Sequence, residues 1–417
     1  MSDKEVSNAM LKNLRISLFL AYKSVIRGRK SISTALIVIM IMIFILLGFV
    51  PSILLGLTET MNRQTVENTY ANIIIEPGED EDYIIRAPLL QERIDNIPGV
   101  IGSACHYIVP ATVTYDENKD GEDVKTTQFL VDSIDPEQEI TVTKIYQHMV
   151  AGEYLDESDR QKIILGREIS GGYGAQLPIK SLGGVKIGDE VTLTFNNGVQ
   201  RDYEVKGIFS TSWAFADIQA FITEKEMESI LGVHNRASEI LVKIEQPGQE
   251  ERYIQELRGM GLIEEKIHPW TDYMGMVSGI TESLGKIRLM TTGFLLIVAA
   301  LVFYVIIFID ITHKRKQIGI LKALGIGKGI IINSYILQAL FYATLGIGLG
   351  VVAVHFLLIP YFVSHPLAFP LGFVSLVMTK ELLIINSLIL FVVATIAGFI
   401  PSWQTTRENI LKAIWGR

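Results

Sequence analysis

Charge disappears from this chain in four places, and those places set its architecture. No charged residue occurs in residues 31–58, 289–309, 329–379 or 382–406. A helix needs about 20 apolar residues to cross a bilayer core about 30 Å thick. The first, second and fourth runs each supply one crossing. The third supplies one crossing plus an apolar turn near His365, Pro366 and Pro370. The first run is longer than the apolar part of a signal peptide and follows a long basic leader, so it reads as an uncleaved span. The expected fold is an α-helical four-span membrane domain plus a mixed α+β extracytoplasmic domain of two subdomains, inserted between spans 1 and 2.

Inside the insert the rhythm changes. Residues 111–115 and 126–132 alternate apolar and polar, the period of half-buried strands. Residues 72–76, 161–166 and 237–244 also read as strands, and 89–97 and 250–257 as helices. Residues 190–195 and 201–209 flank Asn196-Asn197-Gly198, a hairpin signal because Asn and Gly tolerate positive φ. Thr223 with Glu226 has the spacing of a capping box. The expected boundaries are an N-terminal segment with an amphipathic helix (1–30), span 1 (31–58), the insert (59–286) and span 2 (289–309). A loop (310–328), span 3 (329–362), span 4 (382–403) and a C-terminal segment (404–417) follow.

Charge adds orientation. Lys12, Arg15, Lys23, Arg27, Arg29 and Lys30 precede span 1, and Lys314, Arg315, Lys316, Lys322 and Lys328 lie between spans 2 and 3. Basic residues near span ends stay on the cytoplasmic side, so both termini and the 310–328 loop are expected there, in the cell membrane, with the insert outside. The insert carries 40 Asp+Glu against 20 Lys+Arg, in a chain of net charge −8. Residues 11–28 mix apolar and basic positions and suit a helix lying on an anionic lipid surface.

Chemistry is sparse. Cys105 is the sole cysteine, which excludes an intrachain disulfide and suits a small buried side chain. His106, His148, His234 and His268 have no metal-ligand spacing, and no nucleophile elbow is present. No catalytic, cofactor-binding or metal-binding residue is expected, nor any nucleic-acid partner. Residues 325–329, GIGKG, imitate a phosphate loop. Lys322 stands where that motif needs its first Gly, however, and Gly329 where it needs Ser or Thr. Within span 3, Gly346 and Gly350 form a GxxxG, a spacing that lets helix backbones approach closely. Pro51 interrupts the hydrogen bonding of span 1.

Residues 313–329, HKRKQIGILKALGIGKG, resemble the basic loop of the MacB/FtsX/LolC-type permeases of ABC transporters. The usual form there is Arg-x-x-Glu-Ile-Gly-Ile-Leu-x-Ala-Leu-Gly. Ile318, Gly319, Ile320, Leu321, Ala323, Leu324 and Gly325 match it, and Gln317 replaces the Glu. ILQALFYATLGIGLG resembles the start of the family's third span, with Gln338 where Glu is common. GFIPSWQTTRENILKAIW resembles its ending in a short amphipathic helix. AGEYLDESDRQKIILGREIS followed by GDEVTLTFNNGVQRDYEVKGIF is similar to its two-part outer domain. That domain would divide into a porter-like part (about 59–135 and 217–286) and an inserted β-rich part (about 136–216).

The resemblance implies a permease subunit without its own nucleotide-binding domain, hence not itself an enzyme. It would work by mechanotransmission with a separate ABC ATPase in two copies, a second permease copy or paralogue, and membrane lipids. An extracytoplasmic adaptor or substrate protein is a further implied partner. ATP and Mg would act only through the ATPase. The implied cargo is a lipoprotein, peptide or amphiphile; the alternative is an FtsX-like signalling subunit that regulates a cell-wall enzyme. The ATPase-contacting loop would comprise Lys314, Arg315, Lys316, Gln317, Ile318, Gly319, Leu321, Ala323, Leu324 and Gly325. Ile318, Leu321 and Leu324 are expected to present an apolar docking face.

Overall fold

A computed structural model describes residues 3–27, 30–175, 177–211, 213–262, 265–369 and 372–407. Two helices open the chain, α1 (Asp3–Arg27) and α2 (Lys30–Thr65). Then come β1 (Ile73–Glu76), β2 (Ile84–Ile85), α3 (Ala87–Asp95), β3 (Val100–Tyr115), β4 (Lys125–Ile134), α4 (Pro136–Val142) and β5 (Met149–Gly152). Next are β6 (Lys162–Gly166), α5 (Arg167–Ser170), β7 (Glu190–Phe195), β8 (Gln200–Phe209), β9 (Ala220–Thr223) and α6 (Glu224–Leu231). β10 (Arg236–Ala237), β11 (Glu239–Ile244), α7 (Glu250–Gly259) and β12 (Lys266–Pro269) follow. The chain then runs through α8 (Met276–His313), α9 (Arg315–Ala323), α10 (Lys328–Ala353), α11 (Ile359–Ser364) and α12 (Lys380–Arg407).

The elements form two units. One comprises Met1–Leu57, Ser283–Leu367 and Val374–Arg417; the other comprises Thr58–Glu282 with Ala368–Phe373.

Among the described residues, four helices are long and apolar enough to cross a bilayer: Ser33–Tyr70, Val277–His313, Lys328–Ser364 and Lys380–Arg407. Their core stacks Met40 and Phe44 of α2, Phe303, Ile307 and Ile311 of α8, Ala339, Ala343 and Ile347 of α10, and Leu390, Ala394 and Ala397 of α12. The spacing of three to four marks one face of each helix. Helix α2 passes through Pro51 without breaking. Proline cannot donate to the carbonyl four residues back, which is that of Leu47. The buried Asn386 Nδ2 of α12 donates to the Leu47 oxygen instead, at 3.2 Å. Gly346 and Gly350 face α2: a Cβ on Gly346 would overlap Met40, and one on Gly350 would lie 2.6 Å from Phe44 Cδ1. The GxxxG therefore packs against span 1 of the same chain. The amphipathic C-terminal helix expected near 408–417 lies outside the described residues.

The inserted domain is built around one long strand. The first part of β3 pairs with β11, and its second part pairs with β4 and β7. From β4 the ladder continues to β9, β6 and β8, and β8 pairs with β7. The strands β3-β4-β9-β6-β8-β7 thus close into a ring, and β12-β1-β11 extend an open sheet from the other half of β3. Alternate residues of β3, from Tyr107 to Tyr115, fill the barrel beside Val131, Leu165, Leu193 and Tyr203. Helices α3 and α7 cover one face of the open sheet through Ile94, Ile254 and Leu257, where Cys105 is buried. This corrects the expected cut at 136–216. The barrel takes β3, β4 and β9 from outside that interval, because strand closure joins residues distant in sequence.

Two local expectations also shift. The Asn196-Asn197-Gly198 hairpin forms, with Gly198 at φ +81°. Helix α6 starts after Thr223, but the Thr223 hydroxyl donates to Asp159 O rather than capping the helix. Glu226 accepts from Arg201 and Tyr203 instead.

Candidate functional site

The loop between spans 2 and 3 is a short helix with a defined stop. Gly325, at φ +84°, follows the last turn of α9. Its N–H donates to Lys322 O at 3.0 Å, and that of Ile326 donates to Leu321 O at 3.1 Å. These two bonds make a Schellman motif, which glycine allows because it lacks a Cβ. Gly327 then caps α10. The glycines that imitate a phosphate loop are thus the punctuation between two helices.

The faces of α9 differ from expectation. Ile318 is 1 % exposed and packs in the bundle core, Gly319 is buried, and Leu321 packs partly against the same core. Ile318 and Leu321 therefore hold the loop to its own membrane unit. The exposed face carries Lys316, Gln317, Ile320, Ala323, Leu324 and Gly325, with Ile320 53 % and Leu324 74 % exposed. Arg315 and Lys322 are half-buried, and Lys322 Nζ donates to Thr406 O of α12 at 3.0 Å.

Lys314 belongs to a polar hub. Its Nζ donates to Asp310 Oδ2 of α8 and to Ser24 Oγ of α1, each at 2.8 Å. Ser24 Oγ donates to Gln338 Oε1 of α10 at 2.9 Å. Gln338 Nε2 donates to Asp310 Oδ2 and to the Tyr342 hydroxyl, each at 3.2 Å. Tyr342 OH pairs with Ser33 Oγ of α2 at 2.9 Å. The hub ties the N-terminal helix, two spans and the start of the loop to α10. Gln338 suits this place: its amide can donate to Asp310, whereas a glutamate would set a second carboxylate against it. The sequence placed Asp310 at the end of span 2, but α8 continues beyond it and buries it. Helix α1 adds a second join, with Ser17 Oγ donating to Ile330 O of α10. Its apolar Leu14, Leu18 and Tyr22 stay exposed.

The inserted domain holds a second group, which sequence spacing did not reveal. Buried His106 of β3 meets Glu139 of α4 through Nε2 at 2.7 Å. Thr143 Oγ1 donates to the other Glu139 oxygen at 2.6 Å. His106 Nδ1 lies 3.7 Å from both Asp132 Oδ1 and Glu239 Oε1, outside hydrogen-bond range. Burial would lower the His106 pKa, but Glu139 and Asp132 override it and raise the value to about 10. Burial pushes Asp132 up to about 7 and Glu239 up to about 8, with Glu139 adding to the rise of the first and Asp132 to that of the second. Glu224 of α6, also near His106, is raised to about 7 by burial and by Glu228. Asp132 and Glu239 border a cleft of about 1360 Å³, with Glu76, Tyr70 and Tyr273. Phe129, Leu130, Ile179, Phe215 and Ile218 are among its walls. The wall segment carrying Phe215 is pinned by Asp217, which accepts from Thr211 and lies 3.4 Å from Arg167. Among the described residues no group of three or more His, Cys, Asp or Glu has a metal-holding arrangement.

With this geometry in view, residues 289–410 match the FtsX-like permease C-terminal family. The match spans the second to fourth membrane helices and the loop with its Schellman turn. Among solved structures, the extracellular domain of the noncanonic ABC-type transporter YknZ from Gram-positive bacteria matches at 14% identity and TM-score 0.33. That match covers 48% of this chain and 97% of that one. The periplasmic region of MacB from Actinobacillus actinomycetemcomitans matches at 12% identity and TM-score 0.35, covering 53% and 98%. Likenesses of that size carry no argument about mechanism. No curated protein matches the chain.

Proposed function

We propose that the chain is the membrane subunit of an ABC-type machine that works by mechanotransmission, with a separate ATPase docking on the exposed face of α9. The carrying observation is the FtsX-like match over a loop whose outward face presents Ile320 and Leu324 beside Lys316. An amphipathic helix of this kind suits a groove on a soluble partner, with basic residues guiding approach. The hub gives the loop somewhere to send a displacement: a shift of Lys314 acts on α1, α8 and α10 together.

In this reading both termini and the loop face the cytoplasm and the acidic insert lies outside, as the basic residues flanking the spans imply. ATP and Mg act only on the ATPase, and a second permease copy completes the assembly. The cargo class is a lipoprotein, peptide or amphiphile handled outside the membrane.

The test replaces Ile320 and Leu324 together by Asp. Both are exposed, so the membrane unit should insert and purify normally. The carboxylates would be buried unpaired in the partner groove, at a cost of several kcal/mol, and the ATPase should be lost on detergent purification. Retention of the ATPase at wild-type stoichiometry overturns this docking face. Leu321→Asp is a poor substitute, because Leu321 packs on the bundle core.

A further inference from the structure

We infer that the cleft in the inserted domain is a binding site for a cationic amphiphile, a molecule with an apolar body and a protonated amine. The proposal is independent of the docking reading and is tested with no ATPase present.

Three observations converge. The first is shape and lining: a cleft of about 1360 Å³ has walls that include Phe129, Leu130, Phe215 and Ile218. Ligand pockets are concave and mostly apolar, with a few convergent polar groups. At its mouth Leu130 is 56 % exposed and Ile179 44 %, apolar surface that a ligand body would cover.

The second is an excess of acidic over basic side chains in the lining. Asp132 and Glu239 are more than nine-tenths buried, and both line the cleft. Asp132 Oδ1 has no hydrogen-bond partner, and neither has His106 Nδ1 behind it. One imidazole faces three carboxyl groups, and its short contact is already taken by Glu139. Buried carboxyl groups are costly to ionise without a cation nearby, so these lining acids would gain from one in the cleft. Glu76 extends the acidic surface, while Lys180 is the basic side chain among the described lining residues.

The third is strand geometry, which fixes the acids rather than leaving them on loops. Glu239 pairs directly with His106 across β11 and β3, and Asp132 pairs with Ile108 across β3 and β4. A preorganised carboxylate pair suits an amine better than a flexible acidic loop does. An anionic lipid would meet repulsion there, and a neutral one would leave the acids uncompensated.

The experiment uses the full chain in zwitterionic nanodiscs at mildly alkaline pH, with dansylcadaverine as probe. Its N-acetylated form is the uncharged match, and a dansylated carboxylic acid is the anionic one. Saturable fluorescence enhancement above empty nanodiscs is expected for the amine. The acetylated probe should bind more weakly by roughly tenfold or more, the scale of one lost charge-assisted hydrogen bond. Asp132→Asn with Glu239→Gln should cause a similar loss. Leu130→Ser, at the exposed mouth, should weaken both neutral and cationic probes and leaves the acids untouched. Unchanged thermal unfolding of each variant separates lost binding from lost folding. Equal binding of amine and acetylated probes, preference for the anion, or no saturable signal above empty nanodiscs overturns the proposal.

Discussion

The membrane unit and the inserted domain bury polar groups on opposite principles. In the membrane unit Asp310 finds Lys314 and Gln338, Gln338 finds Ser24 and Tyr342, and the carbonyl freed by Pro51 finds Asn386. In these contacts donors and acceptors are matched where no water is available to correct a mismatch, although Ser52 Oγ of α2 is buried without a partner. In the inserted domain His106 is outnumbered by Asp132, Glu139 and Glu239 at the edge of a large cleft. A balanced network holds elements together, whereas an unbalanced one waits for something to balance it. The contrast sets a region whose polar groups hold helices together against one whose acids outnumber their bases.

Breaking the balanced network should have the largest effect. Asp310→Ala leaves half-buried Lys314 without its carboxylate, and removing one partner of a largely buried pair costs up to about 3–5 kcal/mol. Thermal unfolding of the detergent-solubilised protein should show the loss, with Asp310→Ala combined with Lys314→Met recovering part of it. An unchanged midpoint for Asp310→Ala would show that the hub is not holding the helices. A smaller loss is expected from Gly346→Val, whose side chain overlaps Met40. Overpacking of this kind costs about 1–3 kcal/mol, and Met40→Ala should relieve it. No rescue would mean that span 3 does not lean on span 1 there.

The unbalanced cluster should reveal itself as a slope. Asp132, Glu239 and His106 all have folded pKa values above their ordinary ones, about 7, 8 and 10. The folded domain then holds more protons than the unfolded chain between about pH 4 and 10, so its stability falls as pH rises through that window. Each extra proton contributes about 1.4 kcal/mol per pH unit. The groups involved sit on β3, β4, α4, β11 and α6, with Glu139 and Glu224 completing the set. Following the inserted domain by Trp213 and Trp270 fluorescence should show that Asp132→Asn flattens the decline. A steeper decline in that variant would contradict the charge excess.

Much of this was legible in the residues. Four uncharged runs gave the four long helices, and Asn196-Asn197-Gly198 gave its hairpin. The length of β3 was hidden because its two halves sit in different surroundings, and because Pro110 falls inside it, one residue before β7 joins at Ala111. The outward apolar face of α9 was out of phase, since an apolar residue near a bilayer serves equally to pack inward or to point outward; only the position of the bundle decides. Asp310 looked like the end of a span because charge ordinarily marks one. The acid cluster could not be read at all. His106, Asp132, Glu139 and Glu239 meet only through the pairing of β3 with β4 and β11 and the packing of α4.

Strand β3 also dictates when the inserted domain can exist during synthesis. Its first half waits for residues 239–244, and β1 waits for residues 266–269. Neither the open sheet nor the cover of α7 can assemble until almost the whole insert has been made. Pairings this distant must close long loops before any burial rewards them, which slows folding and prolongs the exposed state. The newborn segment stays exposed while it waits, and its 40 acidic against 20 basic residues give a net charge that keeps such a chain from collapsing onto its neighbours.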